Sequence, residues 1–76
     1  MPSIRPIPWK IFEKIVLFVG CTFDHEEGDH RIYKRTDLKR PVVIPRYKEL
    51  PVFIIKNNLR VLGISTAEYL DIISKV

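Results

Sequence analysis

The chain has 76 residues and a mass of 9.0 kDa, which suits one domain with a single hydrophobic core. A composition of 46% hydrophobic and 29% charged residues, with a mean hydropathy close to zero, excludes disordered, collagen-like and low-complexity architectures. A domain this small has little room for an enclosed pocket, so we expect no cofactor and a function carried by the surface.

The net charge of +4 conceals a strongly basic middle segment. Residues 1–30 carry three basic and five acidic groups (net −2), residues 31–60 carry nine and two (net +7), and residues 61–76 carry one and two (net −1). In a protein with a pI near 9.5, this segment predicts a surface that faces a polyanion. A solvated charged face would give the same pattern.

The single cysteine, Cys21, excludes an internal disulfide, and the sequence has no set of Cys and His at zinc-finger spacing. We therefore expect a cytoplasmic protein. Glu13 and Lys14 interrupt the apolar run near the N-terminus, and the remainder, 15–19, is too short for a signal peptide or a membrane span. The sequence predicts neither secretion nor a membrane partner.

The first predicted element is a helix between Pro8 and Gly20. Proline suits the first helical turn, and glycine suits the left-handed position that follows the last one. The apolar residues of this segment have the helical spacing i, i+3, i+4 and i+7: Phe12, Ile15, Val16 and Val19. The pattern predicts an amphipathic helix with one face on the core.

Three short strands are predicted next. Residues 21–23 favour a strand and 24–29 a polar turn, and a second strand runs from His30 to about Arg35. A charged connection, 36–40, leads to a β-branched third strand, 41–45, with a proline at each end. Short strands with tight connections are typical of an antiparallel meander.

Two helices complete the predicted order. The first begins at Pro51 and ends at Gly63, with an apolar stripe of Val52, Ile55, Leu59 and Leu62 and a surface made of Lys56, Asn57, Asn58 and Arg60. Ser65 followed by Glu68 is a capping box that predicts a last helix to about Lys75. The order α-β-β-β-α-α predicts an α+β fold in which helices cover one face of a three-stranded antiparallel sheet.

Several short motifs occur in a recognisable order and spacing. They are Gly20-Cys21, Gly28-Asp29-His30-Arg31 with Ile32-Tyr33, Val43-Ile44-Pro45, Lys48-Glu49-Leu50-Pro51 and the stretch Ile55 to Ser65. Together they resemble the HicA family, also called YcfA-like, of toxin mRNA interferases. The resemblance implies a double-stranded-RNA-binding-like α-β-β-β-α domain over residues 1–76, with an N-terminal extension, 1–7, and an additional C-terminal helix, 65–76.

The resemblance also implies an activity and a partner. Toxins of this family cleave mRNA, block translation and are neutralised by a HicB-type antitoxin. The family's essential histidine maps onto His30. The second histidine of the family pair is Arg31 here, and the preceding serine is Asp29.

Cleavage of RNA needs few protein groups, because the 2′-OH beside each phosphate is an internal nucleophile. Histidine, with an ordinary pKa of about 6.5, suits the removal of its proton near neutral pH, and His30 is the candidate base. Water or Asp29 would then protonate the leaving oxygen, giving a 2′,3′-cyclic phosphate and a 5′-hydroxyl. Positive side chains would bind the phosphates and an aromatic ring would stack on a base, so the candidate RNA-binding residues are Arg31, Lys34, Arg35, Arg46, Lys48 and Tyr47.

Other interpretations stay open for these residues. His30 has the alternative of an ordinary surface histidine, and His25 is interpreted as exposed and structural or inert. Strand alternation places Tyr33 opposite to His30, which favours a core position. The acidic run 24–30 has the spacing of no calcium or zinc motif, so we predict no metal. A non-catalytic RNA-binding module and a protein that binds an acidic partner are the rival functions.

Overall fold

The computed structural model describes residues 3–76. Its elements are α1 (Trp9–Phe18), β1 (Thr22–Glu27), β2 (His30–Lys34), β3 (Val42–Pro45), α2 (Val52–Leu62) and α3 (Thr66–Ile73). The strands form one antiparallel sheet in the order β1-β2-β3. The predicted α+β fold with the order α-β-β-β-α-α is therefore confirmed. Over residues 3–76, no helix is long and apolar enough to span a bilayer.

The helix ends follow the predicted signals. Pro8 directly precedes α1, and Gly20 and Gly63 adopt positive φ angles of 96° and 71° after α1 and α2. At α3 the hydroxyl of Ser65 accepts a hydrogen bond from the backbone N–H of Glu68, whose carboxylate reaches back to Ser65. These caps satisfy backbone groups that each helix end would otherwise leave unpaired.

The core lies between the helices and one face of the sheet. Tyr33 of β2, with Val42 and Ile44 of β3, packs in the same cluster as Phe12 of α1 and Ile55 of α2, and all five are fully buried. Tyr33 is thus a core residue, as alternation predicted. The opposite face of the sheet, which carries His30 and Lys34 at exposed positions, is called the open face below.

The first strand corrects the prediction for residues 21–29. We expected a strand over 21–23 and a turn over 24–29, but β1 continues to Glu27 and the turn is only Gly28-Asp29. Every residue of β1 is exposed, and all of its side chains except that of Phe23 are polar, as befits an edge strand that the helices do not cover. Charged residues suit such an edge, since they prevent pairing with another chain. The polar composition of residues 24–27 is therefore that of an exposed edge strand, and the prediction of a turn there was wrong.

Asn58 corrects a second prediction, because it is 94% buried where a surface position was expected. Its side-chain amide donates to the carbonyl of Val43 at 2.9 Å, and its Oδ1 accepts from the Val43 N–H at 3.3 Å. Those two backbone groups lie on the outer edge of β3. Asn58 thus covers this edge in the way a further strand would, and attaches α2 to the sheet.

Two residues of the predicted N-terminal extension, 1–7, pack on the domain: Ile4 and Ile7. Ile4 is buried in the core cluster, and Ile7 forms an isolated bridge with Leu50, whose N–H donates to the Ile7 carbonyl at 2.7 Å. Residues 1–2 of the extension lie outside the described residues. The bridge places the start of α1 beside the loop that follows β3.

Candidate functional site

His30 stands at the beginning of β2, next to the hairpin turn. Gly28 has φ +60° at the first central position, which is the position that a two-residue type II′ turn gives to glycine. His30 then pairs with Glu27 on one side and with Pro45 on the other. Its side chain is 46% exposed, and its Nδ1 lies 2.8 Å from Oδ1 of Asp29. The turn therefore presents an accessible imidazole whose Nε2 is directed away from Asp29.

A basic loop lies against the same end of the sheet. Arg46, Tyr47 and Lys48 follow β3 and are all exposed. The N–H of Arg46 donates to the carbonyl of Asp29 at 2.8 Å, and the Tyr47 carbonyl accepts from the N–H of Trp9 at 3.3 Å. These bonds fix the loop between the hairpin turn and α1. The structure thus brings the backbone of Arg46 next to the turn that holds His30, with Tyr47 and Lys48 following in the same loop, while the Arg46 guanidinium lies 3.8 Å from Glu26 of β1.

Lys34 shares the open face with His30 but stands at the other end of β2. They lie four positions apart, which corresponds to roughly 13 Å along a strand. The Lys34 side chain is 58% exposed, and its Nζ lies 3.4 Å from a carboxylate oxygen of Asp24. Lys34 is thus accessible to a polyanion that runs along the open face from the basic loop.

Arg31 points to the opposite face from His30. Its guanidinium lies 2.7 Å from Glu26 and 3.3 Å from Glu13, and its Nε donates to the hydroxyl of Tyr33 at 3.0 Å. The same group stacks 4.1 Å from the ring centre of Phe23. Its side chain is only 22% exposed. These contacts attach β1 and β2 to α1, and RNA binding by Arg31 stays a prediction.

Arg35 is also engaged within the protein. Its Nη1 donates to the carbonyl of Val19 at 2.6 Å, and its Nε lies 2.6 Å from Asp37. A cation at the C-terminal end of a helix such as α1 interacts favourably with the helix dipole. Asp37 is the main cause of a raised pKa for Arg35, so the charge persists at any relevant pH. Its predicted contact with RNA stays a prediction as well.

A second histidine reaches the open face because β1 contains an irregularity. Phe23 pairs with Tyr33, but the next pair is His25 with Ile32, so one extra residue, Asp24, is accommodated between them. Regular alternation would place His25 on the same side as Phe23, whose ring centre lies 5.7 Å from that of Tyr33. The bulge turns His25 to the open face instead. Sequence alternation alone gave no signal of this.

His25 lies between two carboxylates on that face. Its Nδ1 is 2.5 Å from Oδ2 of Asp24, and its Nε2 is 3.5 Å from Glu27. The bond to Asp24 raises the pKa of His25 above its ordinary 6.5, and the reciprocal effect of His25, helped by Lys34, lowers the pKa of Asp24 below 3.8. His25 is 44% exposed, so its predicted exposure is confirmed.

Cys21 is buried, and burial raises the pKa of its thiol, which suits a structural residue. Among residues 3–76, no group of three or more His, Cys, Asp and Glu side chains is arranged to hold a metal ion.

Comparison with known families agrees with this arrangement. A family model described as the HicA toxin of bacterial toxin–antitoxin systems matches residues 9–64. The chain belongs to the HicA toxin family. Searches of curated proteins and of solved structures gave no significant match.

The HicA match covers the sheet, α1, α2 and the basic loop. It includes His30 and its neighbours on the open face, and it ends just before the capping box of α3. Membership makes the chain a toxin of a toxin–antitoxin system, which implies an antitoxin as its partner. The site around His30 therefore lies within the part that this chain shares with HicA toxins.

Proposed function

We propose that this HicA toxin is an endoribonuclease that cleaves mRNA in the cytoplasm without a metal and is neutralised by a HicB-type antitoxin. The observation that carries the proposal is His30, an exposed imidazole on the open face, at the end of the sheet where the backbone of the basic loop Arg46–Lys48 bonds to the hairpin turn. Family membership supports the toxic role. The RNA chemistry rests on the geometry of these residues.

His30 has the position of a general base. Asp29 lies at its Nδ1, and a carboxylate there favours the tautomer with a proton on Nδ1 and a free lone pair on Nε2. Nε2 then takes the proton of the 2′-OH as its oxygen attacks the adjacent phosphorus. The P–O5′ bond breaks, and the products are a 2′,3′-cyclic phosphate and a 5′-hydroxyl. General-base catalysis of this kind contributes about 10²- to 10⁴-fold.

The basic loop supplies the electrostatic part of the reaction. Arg46 and Lys48 are exposed, and the Arg46 guanidinium, which lies 3.8 Å from Glu26 in the free protein, would turn from that carboxylate to the phosphate at His30 as negative charge develops there. Tyr47 offers an exposed ring on which an unpaired base can stack. Lys34, 58% exposed at the other end of β2, offers a second cation to a single strand that crosses the open face, in competition with its partner Asp24.

The test is cleavage of a single-stranded RNA by the wild type and by His30→Gln. We expect His30→Gln to lose about 10²- to 10⁴-fold in rate while it retains RNA affinity and melting temperature. Wild-type cleavage should persist in a chelator, and mass spectrometry should detect cyclic phosphate ends. Unchanged cleavage by His30→Gln would contradict the assignment of the base.

Binding is measured in parallel with Lys34→Ala and the charge-matched control Lys56→Ala, which changes an exposed residue of α2. We expect Lys34→Ala to weaken RNA binding and to reduce its salt dependence, and Lys56→Ala to leave both unchanged. Salt-dependent binding without any cleavage by the wild type would identify a non-catalytic RNA-binding module. Failure to bind RNA at low salt, with tight binding to a HicB-type protein, would leave a pure interaction protein.

A further inference from the structure

Two histidines of this chain lie on the open face of one hairpin, although only His30 was assigned a role. His25 pairs with Ile32 and His30 pairs with Glu27, so the two imidazoles are diagonal neighbours on adjacent strands. Diagonal neighbours on one face are about 7–8 Å apart at the backbone. Side chains of this length can approach one phosphate from two sides.

The two histidines are oriented in the same manner. Each follows an aspartate in the sequence, and the Nδ1 atoms lie 2.5 Å from Asp24 and 2.8 Å from Asp29. A carboxylate at Nδ1 fixes each ring and makes Nε2 the atom that can act on a substrate. In His25 that atom lies 3.5 Å from the exposed carboxylate of Glu27, which a bound phosphate would have to displace. The bulge in β1 is what brings the Asp24–His25 pair to the same face as the Asp29–His30 pair.

Building on the proposed ribonuclease activity, we propose that His25 is the general acid of the reaction and that it protonates the 5′ oxygen as the P–O5′ bond breaks. His30 removes the proton from the 2′-OH, the 2′ oxygen forms the new bond to phosphorus, and the proton on His25 goes to the leaving oxygen. His25 ends neutral and His30 ends protonated. Exchange of protons with water restores both groups.

The charges around His25 suit an acid. Asp24 and Glu27 of β1 face it, and Lys34 of β2 reaches it only through Asp24. The two carboxylates favour the protonated imidazole, and the raised pKa of His25 reflects mainly the bond to Asp24. The surroundings of His25 therefore favour the protonated form, which is the form that a general acid requires.

Asp29 is less suited to this role than His25. Its carboxylate lies at Nδ1 of His30, on the same side of the reacting phosphate as the base. The attacking and leaving oxygens lie on opposite sides of phosphorus in an in-line displacement, so the acid must approach from the other side. The neighbouring strand β1 supplies that side through His25. Asp24 and Asp29 are positioning residues that act through the two imidazoles.

The experiment uses two RNA substrates of identical sequence. One has the natural 5′ oxygen at the scissile bond, and the other has sulfur in its place, which leaves as a thiolate without being protonated. We expect His25→Ala to lose about 10²- to 10⁴-fold on the natural substrate and to cleave the sulfur substrate at nearly the wild-type rate. His30→Gln should be defective on both.

The pH profile gives a readout that a structural role would not change. The wild-type rate should fall at high pH as His25 loses its proton, and His25→Ala should lack this alkaline decline. Melting temperatures of His25→Ala and of the more conservative His25→Gln exclude misfolding as the cause, and a defect present in either folded variant supports the role.

The outcomes separate the two proposals. Equal loss on both substrates by a folded His25 variant, or an unchanged rate on the natural substrate, overturns the general acid while the ribonuclease function stands. A wild type that cleaves neither substrate overturns the ribonuclease function itself, and the general acid with it.

Discussion

The two faces of the sheet use the same kinds of side chain for opposite purposes. On the helix side, Arg31 is held by Glu13, Glu26 and the hydroxyl of Tyr33, so its charge is satisfied within the protein. On the open face, the imidazoles and Lys34 have aspartate partners but stay about half exposed. Charge on the first face stabilises the domain, and charge on the second is accessible to a substrate.

The difference arises within single strands. Alternation along β2 sends Arg31 and Tyr33 to the helices and His30 and Lys34 to solvent. Composition therefore overstates the proposed RNA surface, because the basic segment 31–60 includes arginines that attach strands to helices. The face of the sheet on which a cation lies decides whether a substrate can reach it.

The largest effect is expected from a cavity on the helix side. Ile44→Ala removes three carbons from a fully buried position and should lower the free energy of unfolding by about 2–5 kcal/mol. Denaturant unfolding monitored by circular dichroism measures this. The matched control is Val43→Ala on the open face of the same strand, where a half-buried side chain should cost about 1 kcal/mol. Equal losses at the two positions would contradict the assignment of the core to one face.

A smaller effect, with opposite signs, is expected at two buried tyrosines. The Tyr33 hydroxyl donates to Glu13 and accepts from Arg31, and burial and Glu13 raise its pKa to about 12, so it stays a donor. Tyr33→Phe should lower the free energy of unfolding by about 1–3 kcal/mol, because two charged partners lose a hydrogen bond.

Tyr69 is the control for that change. Its hydroxyl is buried and has no hydrogen-bond partner within residues 3–76, and burial raises its pKa to about 12. Tyr69→Phe should therefore raise the free energy of unfolding, by about 1 kcal/mol, since an unpaired hydroxyl leaves the interior. Destabilisation by Tyr69→Phe, measured in the same denaturant series, would show that the hydroxyl is satisfied.

Much of the fold was predictable because helix ends and apolar spacing are local signals. Gly63 and the capping box at Ser65 give the ends of α2 and α3 correctly. Residues 24–27 of β1 were predicted wrongly as a turn, since an exposed edge strand has no buried side to reveal its period. Asn58 was also missed, because a polar residue that caps a strand edge has the same local pattern as a solvated one.

The candidate site was predictable only where a motif identifies it. His30 came from the family resemblance and the basic loop from its charge, and the structure places them together. The face of the sheet on which His25 lies depends on the bulge between the Phe23–Tyr33 and His25–Ile32 pairs. That bulge is a feature of strand pairing in the hairpin and not of the local sequence. The repeated Asp-His at 24–25 and 29–30 is the one sequence signal that marks both imidazoles.

The smallest effect is expected from the Asp24–His25 pair on the open face, and it should depend on pH. Folding raises the pKa of His25, so its stabilising contribution is complete below its ordinary pKa of 6.5 and disappears as pH rises through the raised value. Folding lowers the pKa of Asp24, so that contribution is complete above the ordinary value of 3.8 and is lost as pH falls through the lowered one.

The difference in melting temperature between wild type and His25→Gln should therefore be greatest between about pH 4 and 6.5 and should shrink on either side. Both groups are exposed, so 1 M salt should reduce the difference further. Nuclear magnetic resonance titration of the imidazoles provides the direct check, because Asp24→Asn should lower the pKa of His25. A difference in melting temperature that is constant across this pH range would show that packing, and not charge, holds His25 on the open face. The contrast between an open face of accessible charges and a helix side of satisfied ones would then not extend to His25.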